Sequence, residues 1–291
     1  MGENTNGCEM SYASGHRGGV EYYPCRYGNS RITFRGPKIR CEGDFIACLG
    51  GSETYGRFVP DPFCTQLGRA LDLPCANFGI VNAGLDAFTQ DPAILGLAAG
   101  ARHTVLQVVG AQNLSNRFYS VHPRRNDRFV RASDTLMALY PDIDFTEHAF
   151  TRAMLQSLLD TAPDRFALVV EELQTAWVAR MKSLLAAIGG APVLLWCADA
   201  APPQAANFEA GDTLGADPLF VTAPMLEALR QRVADIVVYT PSAAAREAGT
   251  EGMVFSDFDA SAASATLGAA AHREVAAQLA DTLVSENAVA A

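Results

Sequence analysis

No apolar stretch of the sequence approaches the roughly 18–20 residues that cross a bilayer, so no transmembrane span or membrane partner is expected. Basic residues are in short supply. Lys and Arg number 22 against 32 Asp and Glu, a formal net charge of −10. A general nucleic-acid binder needs a basic face to neutralise phosphates, so nucleic acid is not an expected partner. No CxxC pair occurs, and the cysteine count is odd at seven. That argues against a disulfide framework. Cys48, Cys75 and Cys197 sit inside apolar runs and read as small core residues. A reducing cytoplasm is the expected location. The opening MGENTNGCEM has no basic segment followed by an apolar core, so no secretory signal is expected. Its Met-Gly start suits acylation, but Asn6 stands where Ser or Thr is wanted. Internal repeats are also lacking.

What is present is an ordinary globular composition, 49% hydrophobic and 19% charged, long enough to bury a large core. Residues 1–42 are irregular, rich in Gly, Tyr and Arg, and net basic, and read as an arm laid over a domain spanning 43–291. Arg31–Phe34 alternates and allows one short strand. From Asp44 onward short apolar runs alternate with helical patterns. Strands are expected at 44–50, 75–81, 104–110, 192–198 and 235–240. Helices are expected at 62–73, 91–101, 147–161, 163–189, 223–234 and 269–286. This alternation predicts a doubly wound, three-layer α/β fold with a parallel sheet. Ligands then bind beyond the carboxyl ends of the strands. The informative segments follow the strands: Ser52, Gly79–Asp86, Gln112–Asn116, Asp199 and 241–268.

The first of these is GDFIACLGGSETYG (43–56). Gly51-x4-Gly56 has the glycines of a phosphate loop, but Arg57 and Phe58 replace the Lys and the Ser or Thr that would hold phosphate and Mg²⁺. Ser52 remains either a nucleophile at the edge of the sheet or a turn and helix-capping residue. Glycines at 79 and 84 suit close approach of backbone to a ligand. Asn113 brings an amide to the end of the third strand.

A strand followed by Gly-x-Ser, a glycine-bearing segment after the second strand, and Gly-x-x-Asn after the third resemble the first three blocks of the SGNH (GDSL-type) hydrolases. The resemblance covers roughly residues 44–116 and the last helix. It implies an SGNH-like or flavodoxin-like fold, with Ser52 as nucleophile. The Ser52 N–H, the Gly84 (or Gly79) N–H and the Asn113 side chain would form the oxyanion hole. The chain also resembles an uncharacterised family that carries an Arg-rich segment on such a core. Departures are plain. Gly51 stands where Asp usually precedes the serine, and two residues separate Gly110 from Asn113 rather than one. The family's Asp-x-x-His before the last helix is replaced by FSDFDASAASATLGAAAHREVA. The nearest histidine is His272, inside the helix. A serine hydroxyl needs a base, so His272, His122, His148, His103 and His16 are the candidates, and each also reads as a structural residue.

Residues 115–131 hold Arg117, Arg124, Arg125, Arg128 and Arg131 against the single acid Asp127. They read either as a solvated loop with surface ion pairs or as an insertion whose guanidinium forks hold an anion. Phe118, Tyr119 and His122 add stacking and hydrogen-bonding surface, and the basic arm could extend the patch. DIDFTEH (142–148) groups three acids and a histidine, as a metal site or as a helix cap. No cofactor or metal is expected. Two main functions follow, with a transferase using an activated anionic donor as a third that shares the arginine argument but has no intact donor motif. One is an SGNH-like serine esterase or acyltransferase for an acylated, anionic or saccharide substrate, with Arg117, His122, Arg124, Arg125 and Arg128 holding substrate. The other is a catalytically lapsed domain that binds an anionic glycan or sugar nucleotide through the arginines.

Overall fold

A computed structural model describes residues 19–290. The first half runs β1 (Ile46–Gly50), α1 (Ser52–Tyr55), α2 (Phe63–Leu71), β2 (Cys75–Gly79), α3 (Leu85–Thr89), α4 (Pro92–Gly100) and β3 (His103–Gln107). The hairpin β4 (Tyr119–His122) and β5 (Arg125–Ala132) follows, then α5 (Asp134–Leu139), α6 (Thr151–Thr161) and α7 (Pro163–Ile188). The chain closes with β6 (Val193–Cys197), α8 (Ala223–Glu227), β7 (Ile236–Tyr239), α9 (Ala243–Ala248), α10 (Ala260–Ser264) and α11 (Ala269–Ala290).

β1, β2, β3, β6 and β7 form one parallel sheet in the order β2-β1-β3-β6-β7. β1 and β6 are buried at every position. That is what a sheet covered on both faces requires, and why these strands read as continuous apolar runs. Alternate residues serve the two layers. Ala47 and Leu49 join the core beneath α3, α4 and α7, with Trp177 fully buried there. Ile46 and Cys48 face the other core with Phe63, Leu67, Val275 and Leu279 of α2 and α11. From β1 the chain winds outward to β2 and then crosses back to set β3 on the opposite side of β1. The loops leaving β1 and β3 therefore diverge and leave a crevice at the carboxyl edge, the place where sheets of this kind bind ligands.

The arm belongs to the same core. Tyr27, Ile32 and Phe34 are buried in it, and the Tyr27 and Phe34 rings lie edge-on to Phe78 at 5.0 and 5.5 Å. Arg35 is 4% exposed and donates to the carbonyls of Tyr55, Gly56, Val59 and Pro60. An arginine of the basic arm thus ties down the loop after α1 and is not part of a surface patch. The first part of the arm, including His16, lies outside the described residues.

Four expected elements differ. The strand at Arg31–Phe34 is reduced to one bridge, Cys25 to Phe34. The Arg-rich segment is an antiparallel hairpin rather than a loop. The helix expected over 223–234 breaks after Glu227 into a tighter turn at Arg230–Arg232, which sets Arg230 against Asp235 at 2.8 Å. α6 begins at Thr151 rather than 147, because Asp144 caps a separate 3₁₀ turn (Phe145–Glu147), accepting from Thr146 N–H at 2.9 Å and its hydroxyl at 2.6 Å. The acidic 142–148 segment is therefore a turn cap.

α1 sits directly on β2, and two glycines make the contact possible. A Cβ on Gly79 would overlap the Tyr55 backbone nitrogen, and one on Gly50 would overlap the Thr54 hydroxyl and the Gln107 side chain. We expect Gly79→Ala to cost about 1–3 kcal/mol or more, the range for overpacking a core, read as a lower urea midpoint. An unchanged midpoint would show that α1 is free to lift from the sheet.

Candidate functional site

Ser52 follows β1 as the first residue of α1. The four-residue helix starts there because Gln107, at the end of β3, supplies the cap that Gly51 lacks. Its Oε1 accepts from Gly51 N–H (2.9 Å), Thr54 N–H (3.0 Å) and the Thr54 hydroxyl (2.6 Å). Asn77 holds the other end, donating from Nδ2 to Thr54 C=O at 2.7 Å and accepting from Gly79 N–H at 2.9 Å. Gly79 is thus a packing residue and not an oxyanion donor.

The Ser52 hydroxyl is bound by Asn82. It donates to Asn82 Oδ1 at 3.3 Å and accepts from Asn82 N–H at 3.1 Å. Asn82 has φ = +55°, in the left-handed region that asparagine tolerates better than most residues. Three contacts hold it. Asn113 Nδ2 donates to its carbonyl at 3.1 Å, its own Nδ2 donates to Asp127 Oδ2 at 3.3 Å, and the Ser52 hydroxyl receives its N–H. Asn113 is 5% exposed and its Oδ1 accepts from the Thr151 hydroxyl at 2.7 Å. Ser52 and Asn113 therefore reach the same cleft, as expected, with Asn82 between them.

Gly84 comes no closer to a ligand than its neighbours allow. Its N–H donates to Asn126 Oδ1 at 3.0 Å, shared with Ala87 N–H at 3.0 Å, and a Cβ would collide with the Asn113 carbonyl. It begins α3 and is unavailable to an oxyanion. Ser52 N–H makes no hydrogen bond among the described residues.

His272 is not beside Ser52. It is 1% exposed in α11, stacked on Phe63 at 5.8 Å, and its Nδ1 accepts from Phe63 N–H at 3.1 Å. Burial, with a smaller contribution from Arg35, pushes its pKa down to about 3. A neutral core histidine that fixes the start of α2 is the role this geometry defines. Position 272 lies on the face of α11 that packs on α2, against Phe63. The segment that precedes α11 does line the cleft, but with Ser264, Ala265, Thr266 and Leu267.

The arginine cluster also lies elsewhere. Arg117 pairs with Glu172 at 3.3 Å and covers Phe118 at 5.0 Å, and Arg128 stacks on Phe150 at 4.0 Å. Arg124 and Arg125 occupy the exposed hairpin turn, where their N–H groups donate to His122 Nδ1. His122 is a turn cap. None of these five residues lines the Ser52 cleft. The residues of the segment that act on the site are the two between the arginines, Asn126 and Asp127, which hold Gly84 and Asn82.

The cleft has a volume of about 620 Å³, within the range of small-molecule sites. Its charged lining is Glu53, Arg57, Arg152, Asp199 and Asp217. Arg57 pairs with Asp259 at 3.5 Å, and Arg152 donates to the carbonyls of Leu214 and Gly215 at 3.1 and 2.8 Å. Glu53 keeps part of its surface on the cleft wall, but its carboxyl is enclosed and accepts from Leu267 N–H at 3.1 Å. Burial pushes its pKa up to about 7 against the Leu267 hydrogen bond, with Asp217 and Asp199 adding to the rise. Gln107, Asn82, Glu53, Arg152 and Asp217 were not singled out from sequence. Gln107 alone carried a visible signal, a polar residue interrupting a buried strand.

A parallel α/β protein with a polar cleft at its sheet's carboxyl edge is the class these features define. The chain belongs to a family described as Domain of unknown function (DUF6473), whose model matches residues 10–287. No curated protein matches it.

Two tests check the scaffold. Gln107→Leu strands two backbone N–H groups and a hydroxyl and is expected to cost on the order of 3 kcal/mol, measured by urea unfolding. The unfolded chain protonates His272 near its ordinary 6.5, the folded protein near 3. Between these values the unfolded state holds more protons, so this contribution is whole above about 6.5 and is lost as pH falls toward 3. His272→Asn, which keeps an acceptor for Phe63 N–H, should flatten the fall in stability between pH 7 and 4.5. A variant with the parent's full acid sensitivity would show that the ring is solvated.

Proposed function

We infer that the protein is a ligand-binding member of an SGNH-like lineage: it holds a small polar molecule in the Ser52 cleft and forms no acyl-serine. The observation that carries this reading is the partner of the Ser52 hydroxyl. It is bonded to Asn82 and lies in a cleft that no histidine among the described residues lines. Without a neighbouring base a serine hydroxyl is a weak nucleophile. It is a good ligand contact, being both donor and acceptor. Ser52, Asn82 and Arg152 line one cleft, which would offer a small polar ligand a hydroxyl, an amide and a guanidinium.

One observation favours a second reading, an esterase or acyltransferase in which a carboxylate replaces the histidine. Glu53 adjoins Ser52, lines the same cleft and has a carboxyl pKa near 7. A general base is most effective with a pKa close to the working pH.

A fluorophosphonate probe separates the two. Under the binding reading, intact-mass analysis finds no adduct at Ser52 after long exposure at pH 8. A thermal-shift screen of small polar metabolites finds a stabilising ligand, and Asn82→Ala weakens it by about tenfold, roughly the value of one hydrogen-bonding contact. An adduct that disappears in Ser52→Ala would overturn this reading. Ester turnover rising through pH 7 and abolished in Glu53→Gln would then establish the second.

A further inference from the structure

Beyond Asn82 and Asn113 the Ser52 cleft opens into a second chamber of about 590 Å³. The two adjoin along Asn82, Gln112, Asn113, Arg152, Leu214 and Asp217. The far chamber has an unusual wall for a surface hollow. Phe150 is 42% exposed and lines it, while the guanidinium of Arg128 stacks on the ring at 4.0 Å. The ring is thus fixed in orientation by a contact that a random surface phenylalanine lacks.

Two carboxylates stand in the same chamber, each held by one oxygen. Asp127 Oδ2 accepts from Asn82 Nδ2 at 3.3 Å, and Asp217 Oδ1 accepts from Gln112 Nε2 at 2.6 Å and Leu219 N–H at 3.3 Å. The second oxygen of each makes no hydrogen bond among the described residues, which leaves two oriented acceptors for ligand hydroxyls. Gln112 is 3% exposed, and its donation to Asp217 sets that carboxylate's angle.

Charge decides the ligand's chemistry. Asp127 and Asp217 share the chamber with Arg152, which approaches Asp217 at 3.8 Å, while Arg128 lies outside the lining on the Phe150 ring. An anion would meet two carboxylates, and a cation would meet the guanidinium of Arg152. A neutral molecule with several hydroxyls and an apolar ring face satisfies the oriented oxygens and the phenylalanine together, without leaving a charge unmatched. The tandem chambers suit a chain of such units.

We propose that the groove from Ser52 to Phe150 binds a neutral oligosaccharide, with one sugar ring stacked on Phe150 and its hydroxyls held by Asp127 and Asp217. This rests on the ligand-binding reading above and names its ligand class.

The test uses the full chain and a panel of neutral di-, tri- and tetrasaccharides of glucose, mannose, galactose and N-acetylglucosamine, with their monosaccharides, followed by saturation-transfer NMR and calorimetry. At least one oligosaccharide is expected to bind about tenfold or more tighter than its monosaccharide, the scale of one aromatic contact. Its affinity should be nearly constant between about 0.05 and 0.3 M salt, where charge-driven binding is screened. Phe150→Ala should remove that tenfold and leave the monosaccharide unaffected. Phe150→Leu should do the same if the alanine variant fails to fold, and Asp127→Asn should weaken the oligosaccharide by several-fold. The proposal is overturned if no neutral sugar binds the folded protein, if chain length brings no gain, or if Phe150 variants leave the gain intact. A charged metabolite that perturbs Ser52 and Asn113 signals while the sugars do not would sink the saccharide assignment and leave the binding function standing. Labelling of Ser52 by the phosphonate probe would sink the binding function itself, whatever the sugars do.

Discussion

The side-chain oxygen of Gln107 fixes the position on which the rest of the cleft depends. α1 has four residues, far too few to persist as an isolated helix, and the residue that precedes it, Gly51, has no side chain to cap it. One buried amide oxygen on the adjoining strand takes two of its N–H groups and a hydroxyl. That ties the end of β1 to the end of β3 across the switch point of the sheet. Ser52 is then aimed by the backbone of a helix turn rather than by a mobile loop. Gly50 and Gly79 are consequences of the same constraint, since α1 can lie this close to the sheet only where no Cβ intervenes.

A second set of contacts reaches the site from outside the sheet. The β4–β5 hairpin is tied to the post-β3 segment, with the Tyr119 hydroxyl donating to Gln112 C=O at 2.6 Å. It offers Asn126 to α3 and Asp127 to Asn82. Asn113 and Thr151 then link this framework to α6. The left-handed backbone at Asn82 is therefore held from three directions, consistent with strain being tolerated where the surroundings over-determine it. A residue that is both strained and directly bonded to Ser52 is a better marker of the site's purpose than the serine alone.

How legible this was in the sequence depends on the range of the interaction. β1 and β6 were readable because two-sided burial writes an uninterrupted apolar run, β2, β3 and β7 because short apolar stretches alternate with helical patterns, and the long helices because an amphipathic face repeats. Ser52 and Asn113 were readable as post-strand positions, since topology alone brings such positions together. The hairpin was not, because its alternation, Val121 and Phe129 inward, is diluted by arginines that stack or point outward. His272 was misplaced because spacing along a chain does not say which face of a helix meets which neighbour. Asn82, Glu53 and Asp217 depend on where loops meet in space, and no local pattern records that.

Several of the arginines have structural partners that composition does not show. In a chain of net charge −10 a cluster of guanidiniums suggests an anion. Yet Arg35 is occupied by four carbonyls, Arg180 reaches buried Asp86 at 2.8 Å, Arg117 meets Glu172 and Arg128 lies on a ring. Each of these guanidiniums organises a loop or a packing contact, uses that suit its planar, multiply donating shape. The cleft itself is lined by three carboxylates and two arginines already engaged by protein groups. An anionic ligand would enter against that field. A hydroxyl-rich neutral one would find acceptors already oriented, so on the binding proposal recognition would rest on oriented oxygens rather than on the most conspicuous charges.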